Sequence, residues 1–255
     1  MKWMLIIALI LSSTTQYPMQ VIAQTQKPAP QKNTNRPKFI PPKLPPGAGT
    51  VSGRRTGMGS RDNCPAVTTE LTALVPSVKA PTSKEANTSV SEIVGGLTTS
   101  SRPTFWFYMP YTNNLSGASA QFTLQDSAGN EVYKNTIALP SQPGVIDITL
   151  PSNVASLEID KTYRWFLKVR CTQQQAASVP IYVEGDIQRI NLAPTIAQQL
   201  ETATPQQKVT IYATNGIWFD SINILAQLRS SNEADWQSLL QSVGLGNIAT
   251  APFTK

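Results

Sequence analysis

The sequence predicts a mainly β protein with a helical C-terminal part: a β-sandwich domain over residues 62–190 and a small helical subdomain over 191–255. Two observations predict this class. Short runs rich in Val, Ile, Thr and aromatic residues recur before Asn191, separated by turn residues, and about seven such strands are typical of a sandwich of two sheets. After Asn191 the apolar residues change to helical spacing.

The strands follow one another with turn signals between them. The runs 121–126 and 131–134 flank Ser127-Ala-Gly-Asn and predict a hairpin. The pair Gly95-Gly96 predicts a turn or the end of a strand. The predicted strands are 68–75, the aromatic run from Phe105, 121–126, 131–134, 144–150, 163–171 and 181–190.

The aromatic run Phe105-Trp-Phe-Tyr-Met is apolar on both faces. Because a strand points successive side chains to opposite sides, Phe105, Phe107 and Met109 share one face, and Trp106 and Tyr108 share the other. The second face needs either a cover or a ligand. We expect the C-terminal helices to cover it, and a ligand surface or a partner-protein surface are the two alternatives.

Tyr163 follows Leu157 by six residues and begins a strand of strict alternation. This pattern resembles the tyrosine corner of immunoglobulin-like and fibronectin type III sandwiches, in which the Tyr hydroxyl bonds to backbone. The alternation divides the strand into two faces. The core face holds Tyr163, Trp165, Leu167, Val169 and Cys171, and the outer face holds Arg164, Phe166, Lys168 and Arg170.

A binding surface is the strongest functional hypothesis from these faces. If the two strands are neighbours, their outward side chains form one aromatic and cationic surface. Aromatic rings stack on sugars, and Arg binds carboxylates or sulfates through paired N–H groups. The predicted surface consists of Trp106, Tyr108, Arg164, Phe166 and Lys168.

The helical part reads as three or four short helices. A first helix is opened by Pro194. Thr204-Pro-Gln-Gln matches a capping box and starts the next, which ends at Asn215-Gly216. This helix and the one after it resemble a single tetratricopeptide-type hairpin, and a last helix follows. The hairpin resemblance rests on Tyr212, Gly216, Trp218, Ser221 and Leu225, and the last helix on Trp236, Leu239, Leu240 and Val243.

The N-terminal region predicts export. Lys2, the apolar run Met4–Leu11 and the small residues up to Ala23 indicate a signal peptide over 1–23, with no membrane-spanning segment after cleavage. Residues 24–61 carry seven prolines and eight basic residues, which predicts a disordered basic tether. The tether can bind anionic envelope polymers or serve only as a spacer.

The charge distribution argues against a nucleic-acid-binding protein. Nine basic residues precede the first acidic residue, Asp62, whereas twelve basic and fifteen acidic residues make up the rest. The net charge of +6 therefore belongs to the N-terminal region. The two cysteines, Cys64 and Cys171, predict a disulfide in an exported chain, and two buried free thiols are the alternative.

The chain contains no histidine, which excludes Ser-His-Asp triads, Cys-His dyads and His-ligated zinc. No phosphate-binding or dinucleotide motif is present, so we predict no cofactor and no metal centre. Glu184 and Asp186 share a strand face and can serve as a glycosidase pair or hold calcium, although each acid also has a structural explanation. The acids considered are Asp126, Glu131, Asp147, Glu184, Asp186 and Asp220.

Four stretches together resemble the exported cyanobacterial family catalogued as domain of unknown function 928. They are Leu97-Thr-Thr-Ser with Pro103-Thr-Phe-Trp-Phe-Tyr-Met-Pro-Tyr, Phe122-Thr-Leu-Gln-Asp to Glu131-Val-Tyr, Tyr163-Arg-Trp-Phe with Cys171, and Tyr212-Ala-Thr-Asn-Gly-Ile-Trp-Phe-Asp. The resemblance implies an exported cyanobacterial protein and brings no activity and no catalytic residues.

These observations predict a non-catalytic binding or interaction module that is exported to the periplasm, cell envelope or extracellular space. Its expected partner is an anionic envelope glycan or another envelope protein, and not nucleic acid. Two alternatives stay open: a carboxylate-based glycoside hydrolase and a structural subunit of an envelope complex.

Overall fold

The computed structural model describes residues 36–42, 53–57, 64–79, 92–171 and 180–254. The predicted signal peptide (1–23) and most of the predicted tether lie outside these residues. Within them the fold class is confirmed: the chain is mainly β, with helices only in its C-terminal part. None of the helices in the described ranges is both long and apolar enough to cross a membrane.

The described residues form nine strands, against about seven predicted. The strands are β1 Thr72–Ala73, β2 Ser77–Lys79, β3 Glu92–Thr98, β4 Thr104–Met109, β5 Ser119–Gln125, β6 Glu131–Ile137, β7 Gly144–Thr149, β8 Thr162–Arg170 and β9 Ile181–Arg189.

The strands form two sheets. A three-stranded sheet has the order β1-β4-β7, and a six-stranded sheet has the order β2-β3-β9-β8-β5-β6. Neighbours are antiparallel except β3 and β9, which run parallel. The predicted β5–β6 hairpin is present, and its turn is closed by the Asp126 carboxylate, which accepts hydrogen bonds from the amides of Ala128 and Asn130 at 2.9 Å.

Gly95-Gly96 was expected at a turn or at the end of a strand but lies in the middle of β3. A Cβ at Gly95 would come within 2.6 Å of the Asp186 carbonyl oxygen, and a Cβ at Gly96 within 3.0 Å of the Trp218 Cβ. The two glycines therefore let one strand approach both its parallel neighbour and a helix. That requirement comes from distant residues and leaves no local signal for a strand.

The core lies between the two sheets. Phe105 and Phe107 of β4 point toward the six-stranded sheet, where Phe105 lies 4.9 Å from Phe122 and Phe107 lies 5.7 Å from Trp165 between ring centroids. All four rings are essentially inaccessible to solvent. The Tyr163 hydroxyl accepts a hydrogen bond from the Glu158 amide at 3.0 Å, which is compatible with the predicted tyrosine corner.

The predicted disulfide between Cys64 and Cys171 is present, with a Cα–Cα distance of 5.1 Å. Cys64 precedes β1 of the small sheet and Cys171 follows β8 of the large sheet, so the bond joins the two layers. Because the residues are 107 positions apart, the chain-entropy model assigns the bond about 4–5 kcal/mol of stability.

Four helices follow the sheets: α1 Pro194–Thr202, α2 Pro205–Thr214, α3 Trp218–Leu228 and α4 Glu233–Ser242, with a single 3₁₀ turn at Arg229–Ser231. The capping box of Thr204 and Gln207 is present at the start of α2. The Ser221 hydroxyl donates to the Val209 carbonyl at 3.0 Å, which shows how closely α2 and α3 pack.

Helix α3 holds the helical part against the sheets. The Trp218 indole N–H donates to the Leu74 carbonyl at 2.8 Å, and the Phe219 ring lies 5.4 Å from Phe105. Both side chains are buried. The helical part thus extends the core of the β part.

Two described stretches of the predicted tether contact this body. Phe39 is 8% exposed and its ring meets Trp218 edge-on at 5.1 Å, while the Ile40 amide donates to Ala213. Residues 53–57 form bridges to β1, β3 and β9. Burial of the Phe39 ring and the backbone pairing offset the conformational entropy that these stretches lose on ordering. Proline and basic residues alone would not offset that loss.

Candidate functional site

Strands β8 and β9 are neighbours in the middle of the six-stranded sheet and contribute to its outer face. In both strands the burial of side chains alternates strictly, so every second residue points away from the core. Pairing in register places Arg164 beside Asp186, Phe166 beside Glu184 and Lys168 beside Tyr182. The predicted outward positions of β8 therefore lie on a half-buried face shared with β9.

Phe166 occupies the middle of this face. The Lys168 ammonium lies 5.1 Å and the Arg164 guanidinium 5.6 Å from the centre of its ring. On the neighbouring strand β5, Thr123 pairs with Phe166, so a short polar side chain borders the ring on that side. The arrangement offers an aromatic surface with a cation at each end, and each such contact contributes about 0.5–1 kcal/mol.

A second pair of the same kind lies beside it. The Arg54 guanidinium stacks over the Tyr182 ring at 4.5 Å from its centre. Arg54 is held there by its backbone, which exchanges two hydrogen bonds of 2.9 Å with Glu184. Sequence reasoning missed Arg54 because it lies within residues 24–61, which the sequence predicts to be a disordered tether. At the adjacent Gly53 a Cβ would meet the Val94 Cβ at 2.7 Å, a requirement that appears only in the folded structure.

The two carboxylates of β9 share one cation. Arg164 donates to Glu184 through Nη2 at 2.9 Å and through Nε at 3.3 Å, and its Nη1 lies 3.7 Å from an Asp186 oxygen. Burial raises the pKa of the Asp186 carboxyl; Arg164 opposes this rise and Glu184 adds to it. Arg164 thus neutralises part of the acid pair, and with Lys168 and Arg54 the named charged groups of this face are three cations and two carboxylates.

Trp106 and Tyr108 do not lie on the outer face of β8 and β9, where the predicted surface had placed them beside Phe166. They belong to β4 of the three-stranded sheet, whereas Arg164, Phe166 and Lys168 belong to the six-stranded sheet, so the two strands are not neighbours. Trp106 is only 9% exposed and stacks against Phe253 at 5.3 Å. The cover comes from an extended segment after α4 rather than from a helix.

Of the six candidate acids, only Glu184 and Asp186 come together. Asp126 closes a turn, Glu131 pairs with Lys134 at 3.0 Å, and Asp147 is exposed on β7. In the described ranges there is no group of three His, Cys, Asp or Glu side chains that could hold a metal ion.

Asp220 is half-buried at the junction between β3 and α3. Its carboxylate accepts hydrogen bonds from the Thr98 hydroxyl at 2.8 Å, from the Thr99 amide at 3.0 Å and from the Thr99 hydroxyl. Burial raises the pKa of Asp220, although these bonds oppose the rise. A recess of about 200 Å³ adjoins it, lined among others by Arg102, Tyr212 and Asn223.

This junction is best explained as structural. Thr98 and Thr99 lie at and just after the end of β3, so their hydrogen bonds to the Asp220 carboxylate fix α3 to the sheet. Arg102 is likewise engaged, since its guanidinium donates to the carbonyls of Pro151, Ser152 and Val154. Two of the stretches on which the family resemblance rests, around Thr98 and around Asp220, thus meet at one hydrogen-bonded contact.

Comparison with known proteins agrees with that resemblance. Residues 56–253 match the family described as Domain of Unknown Function (DUF928), which covers all nine strands and all four helices. No curated protein and no solved structure matches the chain. Because the match spans well over half of the sequence, the chain belongs to the DUF928 family.

Proposed function

We propose that this chain is a non-catalytic binding module of the cell envelope, and that the outer face of β8 and β9 binds an anionic glycan. The observation that carries the proposal is the Phe166 ring with Lys168 and Arg164 at its two ends. Arg54 over Tyr182 extends the same chemistry along the sheet.

Acidic polysaccharides present both features that this face can recognise. The apolar faces of sugar rings stack on aromatic side chains, and carboxylate or sulfate groups accept charge-assisted hydrogen bonds from Lys and Arg. The sheet supplies a rigid backbone for these groups, since β8 is paired on both sides. Phe166 and Tyr182 are only half-buried, so part of each side chain is accessible to solvent.

The proposal assigns Glu184 and Asp186 a positioning role. A glycoside hydrolase needs one carboxylic acid free to protonate the leaving group and a second carboxylate free to attack or to activate water. Here Arg164 contacts both groups. The triad therefore holds the Arg164 side chain beside Phe166, which supports binding over hydrolysis.

Export and the basic N-terminal region fit the same proposal. A signal peptide over 1–23 would deliver the chain to the envelope, where acidic polymers occur. The prolines and basic residues of 24–61 would add non-specific attraction to the same polymers. We propose the periplasm or the outer cell surface as the place of action.

Affinity electrophoresis or calorimetry with polygalacturonate, and with neutral dextran as the comparison polymer, tests this function. We expect the full mature chain to bind the acidic polymer, and Phe166→Ala and Lys168→Gln each to weaken binding about five- to tenfold, which corresponds to about 1 kcal/mol per contact.

Lys161→Gln is the matched control, because it removes the same charge from an exposed position just before β8. It should leave the affinity nearly unchanged. If Lys161→Gln and Lys168→Gln lowered the affinity equally, binding would depend only on the net charge of the protein. That result would contradict a site at Phe166.

A further inference from the structure

A polar recess of about 340 Å³ lies beside β1 of the three-stranded sheet, between residues 53–57 and the turn after α4. Backbone pairing fixes the 53–57 segment there. The Gly57 amide donates to the Leu71 carbonyl at 2.7 Å, and the Ala73 amide donates to the Arg55 carbonyl at 2.9 Å. The volume of the recess is at the lower end of the range for small-molecule sites.

Arg55 lines the recess and uses only part of its guanidinium group within the protein. Its Nη1 donates to the Val243 carbonyl at 2.6 Å, at the end of α4. Burial lowers the pKa of Arg55 and the charge of Glu92 opposes this effect, but no carboxylate of the described residues forms an ion pair with Arg55. Nε and Nη2 therefore stay available as the fork that binds a carboxylate through two parallel hydrogen bonds.

Gly244 leaves this fork uncovered. Its φ of +76° is a conformation that favours glycine, because other side chains rarely adopt it. A Cβ at this position would have the Arg55 Nη2 as its nearest described neighbour, at 3.8 Å. The residue that ends α4 thus also keeps a side chain away from the guanidinium group.

Glu70 supplies the opposite charge in the same recess. It is half-buried, and within the part of the chain that the structure describes its carboxylate makes no ion pair and no hydrogen bond. The carboxylate lies near the buried Tyr111, since its charge adds to the effect of burial in raising the pKa of the Tyr111 hydroxyl. Arg55 and Glu70 therefore line one recess as a cation and an anion that do not pair with each other.

Short polar side chains make up much of the remaining wall. They are Thr56, Thr68, Thr69, Thr72 and Asn247. Hydroxyl and amide groups both donate and accept hydrogen bonds, so they suit the uncharged polar atoms of a small ligand.

We propose that this recess binds a free amino acid in its zwitterionic form, with the carboxylate on Arg55 and the ammonium group on Glu70. At neutral pH an amino acid carries both charges. A simple anion or a simple cation would leave one of the two charged side chains without a partner, whereas a zwitterion satisfies both.

This site is separate from the outer face of β8 and β9. Successive side chains of an extended segment point to opposite sides. Arg54 accordingly lies over Tyr182 of that face, whereas Arg55 lines the recess. The proposal therefore does not rest on the binding of an anionic glycan.

A titration of the isotope-labelled full chain with L-glutamine, followed by backbone amide chemical shifts, tests the proposal. We expect the shifted amides to cluster at 55–56, 68–72 and 244–248. Two derivatives each lack one charge: N-acetyl-L-glutamine has no ammonium group, and L-glutaminamide has no carboxylate. Each derivative should bind about tenfold more weakly than L-glutamine, because one ion pair is lost.

Two variants separate the two ends of the ligand. Glu70→Gln should weaken L-glutamine about tenfold and leave the affinity for N-acetyl-L-glutamine unchanged, because that derivative has no ammonium group to lose. Arg55→Lys removes the fork and should leave the affinity for L-glutaminamide unchanged. Glu201→Gln, which alters an exposed acid on α1, is the matched control and should change none of the affinities. Near-ultraviolet circular dichroism checks that each variant is folded.

Equal affinity of the unaltered chain for L-glutamine and its two derivatives would overturn the proposal, since neither charge would then be recognised. Amide shifts outside the recess would also overturn it. So would an absence of binding by L-glutamine and by the other proteinogenic amino acids at millimolar concentration. The derivatives test the site without any substitution, so the result does not depend on the folding of a variant.

Discussion

Strands β4 and β8 are both rich in aromatic residues but differ in how their side chains are covered. Strand β8 alternates between buried and half-exposed side chains, whereas β4 is buried at five of its six positions. The outer positions of β8 therefore stay half-exposed, whereas the Phe253 ring covers Trp106 of β4. An aromatic strand becomes a binding surface only where the rest of the chain supplies no cover.

The disulfide between Cys64 and Cys171 gives the largest expected effect, because it joins the layers that contain the two strands. We expect Cys64→Ser/Cys171→Ser to lower the free energy of unfolding by about 4–5 kcal/mol. Urea denaturation measures this loss. An unchanged midpoint would mean that the layers are held together by packing alone.

A matched pair of phenylalanines sharpens the contrast between covered and open faces. Phe107 is fully buried between the sheets, so Phe107→Ala should cost about 3–5 kcal/mol. Phe166→Ala removes a half-exposed ring and should cost about 1 kcal/mol or less. Similar losses for both variants, measured by urea denaturation, would break the distinction on which the binding proposal depends.

The smallest expected effect is on the pH dependence of stability, through the carboxyl groups whose pKa burial raises. Burial raises the pKa of Asp220 above its unfolded value, so the folded state holds the proton more tightly than the unfolded chain does. Protonation of Asp220 therefore stabilises the folded state. This contribution is fully present below about pH 4 and is lost as the pH rises through the raised pKa of Asp220. Asp186 contributes in the same direction.

Asp220→Asn should flatten this decline, because the side chain no longer titrates. The measurement is the melting temperature at a series of pH values from 4 to about 7, with Asp126→Asn as the comparison variant. Hydrogen bonds donated by Asn130 lower the pKa of Asp126 instead. An unaltered slope in the Asp220 variant would show that its carboxyl does not control the pH dependence.

Local patterns predicted much of this molecule. The alternation of β8 assigned its two faces, the Ser127–Asn130 turn identified the β5–β6 hairpin, and Thr204 with Gln207 identified the start of α2. In each of these cases the determining residues lie within a few positions of one another, so the sequence alone contains the signal.

The parts that were missed depend on residues far apart in the chain. Gly95-Gly96 belongs to a strand because Asp186 and Trp218 leave no room for side chains. Arg54 reaches the outer face because its backbone pairs with Glu184. Whether β4 and β8 are neighbours depends on the order of strands in each sheet, and no local spacing encodes that order.

The most direct test of the central claim is a titration of the isotope-labelled chain with an acidic oligosaccharide, followed by backbone amide chemical shifts. The account predicts that the shifted amides cluster at Arg54, at Arg164–Lys168 and at Tyr182–Asp186, while β4 and β7 stay unchanged. Shifts centred on β4 and β7, or an absence of any cluster on β8 and β9, would contradict it.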